Sequence, residues 1–302
     1  MHTLRPPMPA IFPRRIVVRF ESLGSLMPTQ AEKAAAFRAL HQRKEPFVIG
    51  NPWDAGTARI LTSLGFAALS TTSAGLAFTL GHRDGTASVS RDQALANAKA
   101  IADATHLPVA ADLENGYGHT PDEAAETIRL ASETAGLVGG SIEDATSDPN
   151  HPIYDFQHAV ERIAAAATAA RALPFPFMLV ARAENYLHGR PDLDDTIRRL
   201  QAFEAAGAEV LYAPGITSPD DIRTVCSSVT KPVNVLMGMK GAPPLSLKQL
   251  GELGVRRVSL GSGFCRAALT SFLHAAREVI DEGTFTFADE TLYISEITKL
   301  FN

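Results

Sequence analysis

The feature that most constrains the fold is a cycle: between residues 47 and 260 a short apolar run ends in polar residues, a helical segment follows, and the next apolar run begins. The runs are Phe47 to Gly50, Ala67 to Ser70, Val109 to Asp112, Leu137 to Ile142, Phe177 to Arg182, Glu209 to Ala213, Val233 to Leu236 and Arg257 to Leu260. That is βα repetition. The helices carry their own end signals. Ser90 to Gln93 and Thr120 to Glu123 form capping boxes, the second with Pro121 at the first helical position, and Ser218-Pro219-Asp220-Asp221 repeats the theme. Leu64-Gly65, Ala135-Gly136, Ala206-Gly207 and Leu253-Gly254 place glycine where a helix ends in a left-handed residue. Eight such units closing on themselves leave no exposed sheet edge, whereas an open doubly wound sheet would leave two. The sequence therefore predicts a (β/α)8 barrel of the TIM type. A further helix precedes it, opened by the Thr29 to Glu32 capping box and running to about Gln42.

A chain of 302 residues is long for one domain but ordinary for such a barrel. Residues 29–302 are expected to form one catalytic domain. Residues 1–28 are expected to lie outside it, as a disordered extension or a start assigned too early, with Met27 as the alternative start. Pro6, Pro7, Pro9 and Pro13 oppose a helix there and interrupt any apolar signal-peptide core. A net charge of -5 gives no basic excess for a nucleic-acid backbone, and no apolar segment is long enough to span a bilayer. Two cysteines, Cys226 and Cys265, make neither a disulfide framework nor a metal cluster, so a reducing cytoplasm is expected.

In a barrel of this kind chemistry is built at the carboxyl ends of the strands. Those ends are polar here: Asn51 and Asp54, the turn from Ser70 to Gly75, Asp112 and Glu114, Glu143 and Asp144, Arg182 and Glu184, and Asn234. If the strand stays extended, Asp112 and Glu114 point to one side, and Glu143 and Asp84 join them in one mouth. Acids that close raise one another's pKa unless a cation lies between them, and oxygen ligands without His or Cys favour Mg2+, or Mn2+, over Zn2+. Helix capping and pairing with surface arginines is the plainer reading of the same acids. Arg182 ends an otherwise apolar run, where its fork could grip a substrate carboxylate or pair with Glu184 or Glu143; the two roles are compatible. Ser73, Ala74 and Gly75 could aim backbone N–H groups at a carboxylate or oxyanion.

These residues fall in ordered motifs: Asn51-Pro52-Trp53-Asp54-Ala55-Gly56-Thr57-Ala58, Thr72-Ser73-Ala74-Gly75-Leu76-Ala77, Leu80-Gly81-His82-Arg83-Asp84-Gly85, Ala111-Asp112-Leu113-Glu114-Asn115-Gly116-Tyr117-Gly118, Ser141-Ile142-Glu143-Asp144 and Ala181-Arg182-Ala183-Glu184. Through them the chain resembles the isocitrate lyase/phosphoenolpyruvate mutase superfamily, from about Thr29 to Glu282. The resemblance implies that Asp112 ligates Mg2+ directly while Asp84, Glu114 and Glu143 hold its water ligands. It further implies that Arg182 and the Ser73 to Gly75 backbone bind the substrate carboxylate; Asn234, at its strand end in the mouth, is expected in the substrate-binding set. It also implies a homo-oligomer, a dimer of dimers in which a C-terminal helix, here about Ala267 to Asp281, is swapped between barrels.

The resemblance breaks in the loop after Glu143. The family's lyases carry a Lys-Lys-Cys-Gly-His-like run there, whose Cys is the general acid/base, and its mutases carry a Lys and an Asn. This chain has Ala145-Thr146-Ser147-Asp148-Pro149-Asn150-His151-Pro152-Ile153-Tyr154, which argues against isocitrate, methylisocitrate and phosphonate chemistry. The expected activity is Mg2+-dependent C–C cleavage, retro-aldol or decarboxylation, of a small 2-oxo or 2-hydroxy carboxylate, in particular a dicarboxylate, through an enolate. His151 and Tyr154 are the candidate proton donors, set against a reading as plain loop residues. One alternative is phosphonomutase or phosphonopyruvate hydrolase chemistry with Asp84 as nucleophile or its positioner. Another is a barrel that binds a 2-oxo acid without turning it over. A nucleotide site has only Gly261-Ser262-Gly263 in its favour.

Overall fold

The computed structural model describes residues 27–301. The expectation for residues 1–26 lies outside the described residues. All eight expected strands form and all pair in parallel: β1 (Phe47–Val48), β2 (Leu69–Ser70), β3 (Val109–Asp112), β4 (Gly139–Glu143), β5 (Met178–Arg182), β6 (Val210–Tyr212), β7 (Val233–Leu236) and β8 (Arg257–Ser259). Several are shorter than the apolar runs that announced them. An apolar run reports burial, whereas a strand also needs ladder partners, so the buried Ala68 lies before β2, after the exposed Ala67, and the buried Leu137 and Val138 lie before β4.

β1 pairs with β8, and the remaining strands follow in order back to β2. A bridge between Gly50 and Leu69 closes the ring: Gly50 N–H donates to Ala68 O at 3.1 Å and Ser70 N–H to Gly50 O at 2.8 Å. Asn51 stitches this seam, its amide donating to Ser70 O at 3.0 Å while its carbonyl accepts from Leu260 N–H at 2.9 Å.

The outer helices are α2 (Ala55–Ser63), α3 (Ser73–Thr79), α4 (Arg91–Asp103), α5 (Pro121–Glu133), α6 (Phe156–Arg171), α7 (Leu193–Ala206), α8 (Pro219–Ser228), α9 (Leu247–Glu252) and α10 (Gly263–Arg277). Capping boxes at Ser90 and Thr120 are present, and the glycines after α2, α5, α7 and α9 have φ of 87°, 70°, 109° and 101°. α3 is a departure: the turn expected at Ser73 to Gly75 is the first turn of a helix. Thr72 caps it, and Leu76 and Ala77 bury its inner face against Val89 and Ala94.

The leading helix, α1 (Gln30–His41), closes the amino-terminal end of the barrel. Phe37 and Leu40 insert among Phe47, Ile49, Ala110, Val138, Met178 and Val180. Gly139 makes room for the plug, since a Cβ there would lie 2.8 Å from the Phe37 ring and 2.9 Å from Met178 O. Burial of Phe37 stabilises this end by about 1.5–3 kcal/mol. With that end plugged, the cavity bearing chemistry opens at the other.

After β8 the chain does not pack down in the same way. α10 buries only Cys265 against the barrel and starts four residues before the expected Ala267. It runs into a π-helical turn (Glu278–Glu282), a 3-10 turn (Thr286–Glu290) and α11 (Ile294–Lys299). Phe272 is 67% exposed, Ile280 83% and Ile294 85%.

Candidate active site

Arg182, the last residue of β5, is the hub of the carboxyl-end mouth. Its Nη1 lies 2.8 Å from Asp112 of β3, its Nη2 3.0 Å from Glu143 of β4, and its Nε 2.8 Å from Glu184. The guanidinium stacks over the Tyr212 ring at 5.3 Å. Burial works against its charge, but Glu143, Glu184 and Asp112 more than restore it and hold the group above its usual range. Three of its five N–H donors are thus engaged, and two remain for a ligand.

Beside it lies a cavity of about 180 Å³, bordered by Thr72, Ser73, Ala74, Asp84, Asp112, Arg182, Tyr212, Arg257 and Ser259, among others. A larger hollow of about 370 Å³, lined by Arg38, Arg171 and Glu209 among others, includes the starting residues of β5, at the opposite end of the strands. It gathers no comparable set of acids.

The structure brings most of the expected residues together, with adjustments. Asp112 is central: Ser73 donates to its Oδ2 through Oγ at 2.8 Å and through N–H at 3.3 Å, and its own N–H donates to Thr71 at 3.0 Å. The Ser73 donors therefore hold Asp112 rather than standing free. Ala74 borders the cavity. Gly75 does not; its N–H donates to Thr72, and a Cβ there would meet Trp53 Cβ at 2.8 Å, so its smallness serves packing. Asp84 reaches the cavity from the exposed loop after α3.

Glu114 corrects one premise. The strand ends at Asp112, and Glu114 adopts φ 48°, so the extended path that would have aligned the two carboxyls does not persist. Glu143 N–H donates to Glu114 O at 2.9 Å across that turn. The Glu114 side chain borders a neighbouring hollow with Asn115 and Tyr117, still within the field of Asp112 and Asp84.

The loop candidates stand apart. The His151 side chain is 84% exposed and pairs with Asp148 at 3.4 Å. Tyr154 is buried, with its hydroxyl 2.7 Å from His119 Nδ1 and its ring under Arg162 at 4.5 Å. Neither borders the cavity at Arg182, because this loop folds onto α5 and α6. Asn234 does not border it either. Its amide donates to Ser259 at 2.9 Å and its carbonyl accepts from Arg257 Nε at 2.9 Å, so it positions another side chain. Arg257 and Tyr212 escaped the sequence reading. The signal was available: Arg257 and Ser259 are two apart on β8 and so share its inner face.

The electrostatics show a surplus of negative charge. Burial, then Asp112 and Asp84, lift the Glu114 carboxyl to about 7; burial and Asp112 raise Asp84. Burial holds Glu143 well above the carboxylate range even beside Arg182. Among the described residues no three Asp, Glu, His or Cys side chains already converge to hold a metal, so the expected cage of four acids is not preformed. Acids repelling one another around a single arginine nonetheless fit Mg2+, which keeps several waters and needs one or two direct carboxylates. Asp112 is the acid common to the set, acting on Asp84, Glu114 and Glu143.

A closed parallel barrel with this cluster at its carboxyl ends defines an enzyme of the (β/α)8 class. The phosphoenolpyruvate phosphomutase family profile matches residues 37–280, and the chain belongs to that family, within the isocitrate lyase/phosphoenolpyruvate mutase superfamily of lyases and mutases. The uncharacterised protein Rv1998c of Mycobacterium tuberculosis is 35% identical over 82% of this chain and 89% of its own. The 2-methylisocitrate lyase of Escherichia coli is 30% identical over 70% of this chain and 71% of its own. The oxaloacetate decarboxylase of Bradyrhizobium diazoefficiens is 30% identical over 65% and 67%. Among solved structures, a protein of Burkholderia cenocepacia J2315, provisionally assigned as a lyase/mutase, is 57% identical with a TM-score of 0.87, covering 90% of this chain and 96% of that one. 2,3-Dimethylmalate lyase is 26% identical with a TM-score of 0.79, covering 89% and 95%.

Proposed function

We propose that this protein is a Mg2+-dependent lyase that cleaves a C–C bond of a small 2-oxo or 2-hydroxy carboxylate, with the departing fragment leaving as an enolate. The observation that carries the reading is the set of five carboxyls, Asp84, Asp112, Glu114, Glu143 and Glu184, gathered about the guanidinium of Arg182 beside a small cavity. Relatives named 2-methylisocitrate lyase and oxaloacetate decarboxylase support cleavage at carbon.

In this reading Asp112 holds the metal directly and Asp84, Glu114 and Glu143 hold it through water. When bound, Mg2+ supplies Lewis acidity toward the carbonyl and carboxylate oxygens of the acid. The residues of the chain do the positioning. The two remaining N–H donors of Arg182 orient the substrate carboxylate, while Glu184 and Tyr212 fix the plane of its fork. Ser73 keeps Asp112 in one rotamer. Thr72, Ala74 and Tyr212 wall the cavity and limit water.

The exposed apolar residues of α10, the π-turn and α11 support an assembly in which this segment packs on a neighbouring barrel as a swapped helix, giving a dimer of dimers. The described residues contain no helix long and apolar enough to cross a membrane.

The test is a panel of 2-oxo and 2-hydroxy mono- and dicarboxylates, with phosphonopyruvate included, assayed with Mg2+ and with chelator. Mg2+-dependent release of pyruvate, glyoxylate or another 2-oxo acid from a carbon substrate is expected. Phosphate release from phosphonopyruvate alone would replace the lyase reading with the phosphonate one. Binding without any product would leave a non-catalytic barrel.

A further inference from the structure

Arg257 is the anomaly among the deep arginines. Arg182 meets three carboxylates, Arg199 two, and Arg162 donates to the carbonyls of Asn115 and Thr120. Arg257 is 4% exposed, and among the described residues no carboxylate pairs with it. Its Nε donates to Asn234 Oδ1 at 2.9 Å, and its Nη1 is buried with no hydrogen-bond partner. Burial, which Tyr212 opposes and Arg182 reinforces, pulls its pKa down to about 10, leaving the guanidinium charged at neutral pH. A buried cation without a counter-ion is costly. Arg162 also lacks a carboxylate among the described residues and leaves its Nε unbonded, but two carbonyls accept from it and the Tyr154 ring lies under it, whereas Arg257 has one acceptor and borders a cavity.

The position identifies the missing partner. Arg257, on β8, borders the same small cavity as Arg182 of β5 and Ser73 after β2. Asn234 holds its Nε and Ser259 holds Asn234, so the guanidinium is fixed in place at the cavity wall, with the ring of His41 of α1 also within its field. We infer that Arg257 forms a second anion subsite, receiving the far carboxylate of a dicarboxylate whose near carboxylate faces Arg182. Arg257 is then the specificity residue and Asn234 its positioning residue. The inference rests on the proposed 2-oxo or 2-hydroxy acid activity and adds which residue reads the second charge.

Malate and lactate differ only in the far carboxylate, so calorimetric titration of the Mg2+-supplemented protein with each isolates this subsite. The wild type should bind malate about tenfold to a hundredfold more tightly than lactate, the value of one charge-assisted fork. Arg257→Met should abolish that preference and leave lactate affinity unchanged. Asn234→Asp, which keeps the shape and sets a carboxylate against Nε, should abolish it too, and it serves if the Met variant fails to fold. If lactate binds and malate is no tighter in the wild type, or if both variants keep the preference, the subsite is refuted while the acid-binding reading stands. If neither acid binds the wild type, that reading falls and the subsite falls with it.

Discussion

Two buried arginines sit a few residues apart in space, each clamped by acids, and they teach opposite lessons. Arg199 of α7 pairs with Asp144 at 2.9 Å and Asp195 at 2.9 Å and donates to Tyr154 O at 3.0 Å. Arg182 pairs with Asp112, Glu143 and Glu184 at similar distances. Glu184 N–H donates to Asp144 Oδ1 at 2.8 Å, so the two networks touch. What separates them is charge balance and access. The Arg199 network has two acids for two cations, since Arg198 also pairs with Asp195, and it is completed by backbone. The Arg182 network has five acids in reach and a cavity beside it. Burial lifts acids in both, Asp144 to about 7 and Glu114 to about 7. The next influence differs: at Asp144 it is the opposing pull of Arg199, at Glu114 the repulsion of Asp112. Frustration of like charges marks the site, and its relief marks the scaffold.

Substitutions can break or sharpen this contrast. The largest expected effect is on the scaffold side: Arg199→Met leaves Asp144 without its partner and should cost about 3–5 kcal/mol of stability. Urea melts would show it, and a melt matching wild type would remove Arg199 from the scaffold role. Next is Arg182→Lys, which keeps the charge and loses the fork. Its kcat/KM should fall by about a hundredfold, with the melting temperature nearly unchanged, and wild-type kinetics would erase the distinction between the arginines. The smallest concerns acid stability. Burial raises the Asp195 carboxyl, but hydrogen bonds from Arg198, Arg199 and Asn185 outweigh it and pull the pKa to about 2 from a usual 3.8. A depressed carboxyl contributes stability above its unfolded value and loses it as pH falls from 3.8 toward 2. Asp195→Asn should therefore flatten the stability curve over that interval and cost no more than about 1 kcal/mol at neutral pH. An acid limb as steep as wild type would show that Asp195 carries none of it.

Legibility in the sequence followed the range of the interaction. Periodicity, capping boxes and closing glycines are local, and they located all eight strands and the helix ahead of them. The same logic placed Asp112, Glu143 and Arg182 at strand ends, since a residue ending an apolar run in a barrel faces the mouth. Glu114 was misplaced in detail because its backbone turns left-handed just after the strand, a choice set by packing of Leu113 and the bond from Glu143. α3 read as a turn because small residues suit both, and only its burial against Val89 and Ala94 selects the helix.

Taken alone, the order of residues determined a closed parallel barrel, an acidic mouth and an arginine within it, because each depends on patterns repeated along the chain. The fold decided which acids meet Arg182, that His151 and Tyr154 turn away from the cavity, and that Arg257 stands uncompensated in its wall. Those outcomes depend on side chains from strands far apart in sequence meeting in one small, poorly solvated volume, where a partner gained or missing changes what a charge can do.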